Sequence, residues 1–218
     1  MIGAVIAMDS EASALLEQMQ NTTLLTVYGK PMYVGKAFGK DVALCVCGVG
    51  KVNAAAGTCA VLAQGANYVL NFGVAGGLDD NTQLAEVYLI DKVVQYDFDL
   101  TQLNGGKTGT LDGEEDNFLP LALPQSLRLP RRALGSGDRF NDSAVDHDLL
   151  LSLGAKIRDM EGAAIAQVCK YAGVPCVSVK AISDIYGNGS TTEQFKSNTA
   201  RAMQNLKALM GEIIFAIG

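Results

Sequence analysis

The stretch "KIRDMEGAAIAQVCKYAGVPCVSVKAISD", residues 156–184, decides the fold. It reads as a short strand ("AKIRDM"), an Ala-rich helix ("EGAAIAQVCKYAG") and an almost uncharged strand ("VPCVSVKAISD"). A strand that apolar is buried on both faces, which is the situation of a parallel sheet with helices on either side. The same stretch sets Asp159 and Glu161 at the mouth of the helix and Asp184 at the end of the strand. That placement needs a reason in a chain with only 18% charged residues.

Outward from this unit the alternation continues. "IGAVIA" is a buried strand, and "SEASALLEQMQ" follows with helical spacing at Ala12, Leu15, Leu16 and Met19. "TLLTVYG", "PMYVGKAFG" and "DVALCVCGVG" form a β meander separated by "GKP" and "GK". "KVNAAAGTCAVLAQG" is a helix, "NYVLNFG" a buried strand leading into "VAGGL", and "EVYLIDKVVQYDFDL" one long strand. About residues 102–130 the pattern turns irregular, and Pro120, Pro124 and Pro130 forbid a long helix, so this is expected to be a mobile or inserted segment. "RRALGSGDRF", "SAVDHDLLLSLG" and a closing amphipathic helix from "TEQFKSN" to residue 218 complete the chain. The expectation is an α/β fold: a single three-layer domain over residues 1–218, with a mixed, mostly parallel central sheet and helices on both faces.

Composition excludes several classes. With 218 residues and 49% hydrophobic side chains the chain has ample core for one domain. A net charge of −6, spread along the chain, offers no basic stripe for nucleic acid. No apolar run reaches the roughly 18 residues that a membrane span needs, and "MIGAVIAMDSE" lacks the basic start of a signal peptide, so a cytoplasmic protein with no membrane partner is expected. Cys45, Cys47, Cys59, Cys169 and Cys176 lie in apolar stretches without a C-x-x-C pair and read as reduced core thiols. The single histidine, His147, is expected on a polar helix face, and a transition-metal site is not expected.

In open α/β sheets ligands collect beyond the carboxyl ends of the strands. That rule gathers Asp9 and Glu11, the "VAGG" of residues 74–77 with Ala75 and Gly76, Asp138 and Phe140, Asp159 and Glu161, and Ser183 and Asp184 on one rim. Each has an ordinary explanation. Glu11 and Glu161 suit helix N-termini, Asp184 suits a cap, "VAGG" suits a tight turn and Phe140 suits a core. Their coincidence at one end of the strands is the signal. A phosphate clamp is poorly provided for: there is no G-x-G-x-x-G or P-loop, and the first arginine is Arg128. Carboxylates without metal ligands or such a clamp point to acid/base chemistry on a neutral, hydroxyl-bearing substrate.

In order and spacing, "IGAVIAMDSE", "GVGKVNAAAG", "NFGVAGGL", "SGDRF", "RDMEGAAIAQVC" and "KAISD" resemble the 5′-methylthioadenosine/S-adenosylhomocysteine nucleosidases of the purine nucleoside phosphorylase superfamily. The resemblance covers nearly the whole chain except about 102–130. It implies a homodimer that takes a small-molecule purine nucleoside and uses no cofactor and no metal. Glu11 would activate the attacking water, and Asp184, steadied by Ser183, would protonate N7 of the adenine. Glu161 would bind the ribose hydroxyls and Met160 would pack on the sugar. Phe140 would stack on the base, the backbone near Asn141 would read its Watson–Crick edge, and Val49 would line the 5′ end. Ala75 and Gly76 stand where the phosphorylases hold phosphate.

These roles demand an acid with a raised pKa at Asp184 and an ionised base at Glu11, so the two are expected to be pushed apart. Departures from the relatives fall at Val74, where Ser is frequent, and at Lys180 and Asn141, both expected at the pocket rim. Rival readings are a futalosine-type or other purine nucleosidase, a phosphorylase, and a nucleoside-binding module without turnover.

Overall fold

The computed structural model describes residues 1–217. Its strands are β1 (Ile2–Ile6), β2 (Met19–Val27), β3 (Lys30–Ala37), β4 (Lys40–Val46), β5 (Tyr68–Gly77), β6 (Val87–Gln95), β7 (Phe118–Pro120), β8 (Arg131–Ser136), β9 (Ile157–Asp159) and β10 (Cys176–Ile185). Its helices are α1 (Asp9–Leu16), α2 (Lys51–Ala63), α3 (Thr101–Asn104), α4 (Ala144–Leu153), α5 (Gly162–Ala172) and α6 (Thr191–Ala216). The last residue of the expected closing helix, Gly218, lies outside the described residues.

The sheet is mixed. β1 runs parallel to β4 and β5, β5 to β10, and β8 to β6 and β9. The β2–β3–β4 meander is antiparallel, as are the β10–β6, β5–β9 and β6–β7 pairs. Because β10 pairs with both β5 and β6, strands β5, β10, β6, β8 and β9 close into a small ring. Alternation of strands and helices does not foretell that closure, because it rests on pairings between strands distant in sequence.

Two apolar layers cover the sheet. α1 and α6 bury Leu15, Leu206, Met210 and Ile213 against β1, β4 and β10 on one face. On the other, α2 and α5 bury Ala54, Val61, Ala163 and Ile165. The small residues set the approach distance. A Cβ on Gly57 of α2 would stand 2.6 Å from Cβ of Cys47, so the helix lies close to the sheet only because that position is bare.

Several expectations are corrected. Met19 opens β2 instead of extending α1, because the helix stops at Leu16 and its expected apolar stripe is one turn shorter. "VAGG" is not a turn: β5 runs through to Gly77, held by β10 on one side and by β9 at its last residues. β6 ends at Gln95, where Tyr96 and Asp97 turn the chain. Residues 102–130 are mostly irregular as expected, yet they are not a loose insertion, since Leu111, Leu119, Leu121 and Leu127 are buried and β7 joins the sheet. Cys59 is exposed on the outer side of α2, unlike the other four cysteines, which are buried. His147 is half-buried and stacks on Tyr186, with ring centroids 3.8 Å apart.

Candidate active site

Beyond the carboxyl ends of β1, β5 and β10 lies a cavity of about 480 Å³. Glu11, Val49, Ala75, Gly76, Phe140, Met160, Glu161, Ser183 and Asp184 all line it. Asn141 does not. Its Nδ2 donates to Asp146 at 2.8 Å and its Oδ1 accepts from the Ser143 N–H at 3.0 Å, so its side chain is committed to the start of α4.

Glu11 is carried by the first turn of α1 and is only 3% exposed. Its Oε1 accepts the N–H of Val74 at 2.8 Å and its Oε2 accepts that of Met8 at 3.1 Å. Burial pushes its pKa up, an effect opposed by Lys180 and by those two N–H donors, with a small further rise from Asp159. The carboxylate is therefore proton-attracting yet fixed in direction.

Asp184, next to last in β10, accepts the Ser183 hydroxyl at 2.7 Å. The Ser183 carbonyl in turn accepts Nδ2 of Asn198 from α6 at 3.2 Å. Burial raises the Asp184 pKa, while the Ser183 hydrogen bond and the Arg158 guanidinium oppose the rise and Asp142 adds to it. Glu11 and Asp184 are thus displaced in the same direction, not apart, because desolvation is the largest cause at both. What differs is their support: a buried cation and two amides at Glu11, a hydroxyl and a more distant guanidinium at Asp184.

Glu161 serves the start of α2, since its side chain makes no cap bond at its own helix. It is the N-cap residue of α5, and its Oε1 accepts the N–H of Gly50, 2.8 Å away at the start of α2. No side chain of α2 caps that end. Asp138 completes the arrangement by accepting the Lys51 N–H at 2.9 Å. Two carboxylates from the far half of the chain thus satisfy the free amides and positive end of α2. Burial, then the neighbouring Asp159, raise the Glu161 pKa to about 7, against Lys180 and the Gly50 N–H.

Asp159 is structural as well as pocket-lining. It accepts the Gly162 N–H at 3.0 Å and the Ser136 hydroxyl, while Ser136 Oγ accepts the Ala163 N–H at 2.9 Å, so the pair caps α5. Its Oδ2 also meets Nζ of Lys180 at 2.9 Å, with both side chains almost wholly buried. Lys180 is therefore not a rim residue: it lies beneath the cavity. Desolvation disfavours its charge, but Asp159, Glu161 and Glu11 outweigh that, and its pKa is raised.

Sequence reasoning passed over Arg158 and the first turns of α6. Thr192, Phe195 and Lys196 line the cavity from that helix, and their i, i+3, i+4 spacing at a helix start is the signal that marks them as one face. Phe195 meets Phe140 edge-on, with centroids 5.7 Å apart. Val74 lines the cavity as expected of a wall residue. Among the described residues no cluster of three His, Cys, Asp or Glu side chains is arranged to hold a metal ion.

The site thus offers three buried carboxyl groups, each with its pKa raised, and two aromatic faces. Comparison with known proteins gives the same neighbourhood. A model of the phosphorylase superfamily matches residues 1–214. A 5′-methylthioadenosine/S-adenosylhomocysteine nucleosidase of Marinomonas sp. (strain MWYL1) is 32% identical, covering 98% of this chain and 97% of the relative. The adenine complex of the 5′-methylthioadenosine/S-adenosylhomocysteine nucleosidase of Colwellia psychrerythraea superposes with a TM-score of 0.90 at 26% identity, covering 99% of this chain and 95% of the other. The futalosine hydrolase of Helicobacter pylori superposes with a TM-score of 0.89 at 25% identity, covering 98% and 97%.

Proposed function

The chain belongs to the phosphorylase superfamily, and on that premise we propose that it is an N-glycosidic hydrolase of 5′-methylthioadenosine and S-adenosylhomocysteine. The products are adenine and a 5-thioribose. The observation that carries this reading is the convergence of Glu11, Glu161 and Asp184 on one cavity, each buried and each directed by hydrogen bonds.

In the proposed reaction the C1–N9 bond breaks and its electron pair moves onto the purine. Asp184 delivers a proton to N7, so the base leaves neutral; a carboxyl with a raised pKa is suited to hold that proton. Water adds to C1, and Glu11 takes the proton it sheds. Glu161 accepts the ribose hydroxyls, Met160 packs beneath the sugar, and Phe140 with Phe195 flanks the base. Val49 borders the 5′ substituent. The Glu11 and Glu161 carboxylates also favour the positive charge that builds on the ribose in the transition state.

Water rather than phosphate is favoured as the nucleophile by Glu11 itself. It already holds the Val74 N–H beside Ala75 and Gly76, and its negative charge would repel a phosphate there. We further propose that the chain acts as one domain over residues 1–218, as a cytoplasmic homodimer serving methionine salvage. Exposed apolar side chains such as Val52 and Leu103 suit a subunit contact. A futalosine-type substrate is the second reading, favoured by Arg158 in the cavity wall. Base release from a nucleoside panel, with and without phosphate, tests the substrate and the nucleophile. Adenine from methylthioadenosine without phosphate supports the reading; turnover that requires phosphate and yields a ribose 1-phosphate sinks it.

A further inference from the structure

Arg158 lies in β9 opposite Gly76 of β5 and lines the cavity while only 7% exposed. Among the described residues its guanidinium forms no ion pair. Its Nη2 is closed off from the cavity without a hydrogen-bond partner, so the guanidinium meets the cavity through its Nε side. A buried cation left this way is costly, and a ligand acceptor is the natural remedy. The position of that acceptor follows from Gly76. A Cβ there would stand 2.8 Å from Oδ2 of Asp184 and 3.2 Å from Nε of Arg158, so acid and guanidinium border the same side-chain-free gap.

On a purine, N7 and the substituent at C6 share one edge. An acid that protonates N7 therefore has the C6 group beside it. A 6-amino group presents N–H donors, which suit a carboxylate and leave a guanidinium with nothing to bond. A 6-oxo group presents an acceptor, on which negative charge grows as the base departs. We propose that Arg158 reads a C6 carbonyl on the leaving base, so that 6-oxopurine 5′-thionucleosides are substrates of this site alongside 6-aminopurine ones. This rests on the hydrolase reading above, with Asp184 on the N7 edge. A phosphate partner for Arg158 is disfavoured, since it would crowd Glu11 on the sugar side.

The test is kcat/KM for 5′-methylthioinosine and 5′-methylthioadenosine, measured on the same preparations of the wild-type enzyme and Arg158→Met. The wild type is expected to cleave both. The variant is expected to lower the inosine-to-adenosine ratio by about 10- to 100-fold, the usual loss when a buried charged donor is removed from its acceptor. A ratio is insensitive to any misfolded fraction, so poor folding of the variant does not spoil the reading. A wild type that cleaves only the adenosine compound, or a ratio that Arg158→Met leaves unchanged, overturns the proposal while leaving the hydrolase reading intact. Inactivity on both nucleosides overturns both.

Discussion

Oε1 of Glu11 accepts the backbone N–H of Val74 at 2.8 Å, and it fills the space that a side chain on the preceding residue, Gly73, would need. A helix-borne carboxylate and a bare strand position 62 residues away are thus mutually required. Gly73→Ala is expected to push the carboxylate aside and lower kcat/KM by about 10²-fold, the scale of an ångström-level misplacement. Thermal unfolding should fall only modestly, in the range of an overpacked core site. Near-native turnover in this variant would show that the Glu11 position is not needed.

The two proposed proton carriers give a paired expectation. Asp184→Asn can hydrogen-bond N7 but cannot give it a proton, and Glu11→Gln can hydrogen-bond water but cannot take its proton, so each should lose about 10²- to 10⁴-fold in kcat. Both keep the shape of the cavity, and a nucleoside analogue titrated calorimetrically should still bind. A single variant that turns over normally removes that residue from the mechanism.

Lys180 sits below the floor of the site and lowers the Glu11 pKa that burial raises. Lys180→Met should therefore raise the Glu11 pKa further, moving the acid limb of the kcat/KM profile toward neutral pH. It also strands the buried carboxylate of Asp159, a loss of about 3–5 kcal/mol by urea unfolding. Adding Asp159→Asn should recover part of that stability. An unmoved acid limb would separate Lys180 from Glu11.

Glu161 carries a prediction about stability. Its pKa rises from 4.5 to about 7 on folding, so between those values the folded chain binds the proton better than the unfolded one. This group's contribution to stability is present below about pH 4.5 and is lost as pH rises through about 7. Glu161→Gln, which still accepts from Gly50, should flatten that part of the slope in urea midpoints measured from pH 5 to 7.5. An identical slope in the variant would contradict the assignment.

The residues of the cavity were legible because strand ends are legible. Glu11, Glu161 and Asp184 each follow an apolar run, and the rule that ligands gather beyond parallel strand ends converts three separate sequence positions into one place. Lys180 was misplaced at the rim because a cation within an apolar strand has no sequence mark for its partner; only the fold brings Asp159 to 2.9 Å. Asn141 stands outside the cavity lining, and its side chain is spent locally on Asp146 and Ser143, which leaves only its backbone for the expected contact with the base. Arg158 was hidden because β9 is three residues long and pairs with β5 at a distance in sequence. The closed ring of five strands was invisible on the same ground.

The central claim is that water attacks C1 while the purine leaves protonated. The most direct measurement is turnover of 5′-methylthioadenosine in ¹⁸O-labelled water containing phosphate, followed by mass spectrometry of the sugar. One ¹⁸O is expected at the C1 hydroxyl of free methylthioribose, with unlabelled adenine. Methylthioribose 1-phosphate without label, or no cleavage at all, would contradict it.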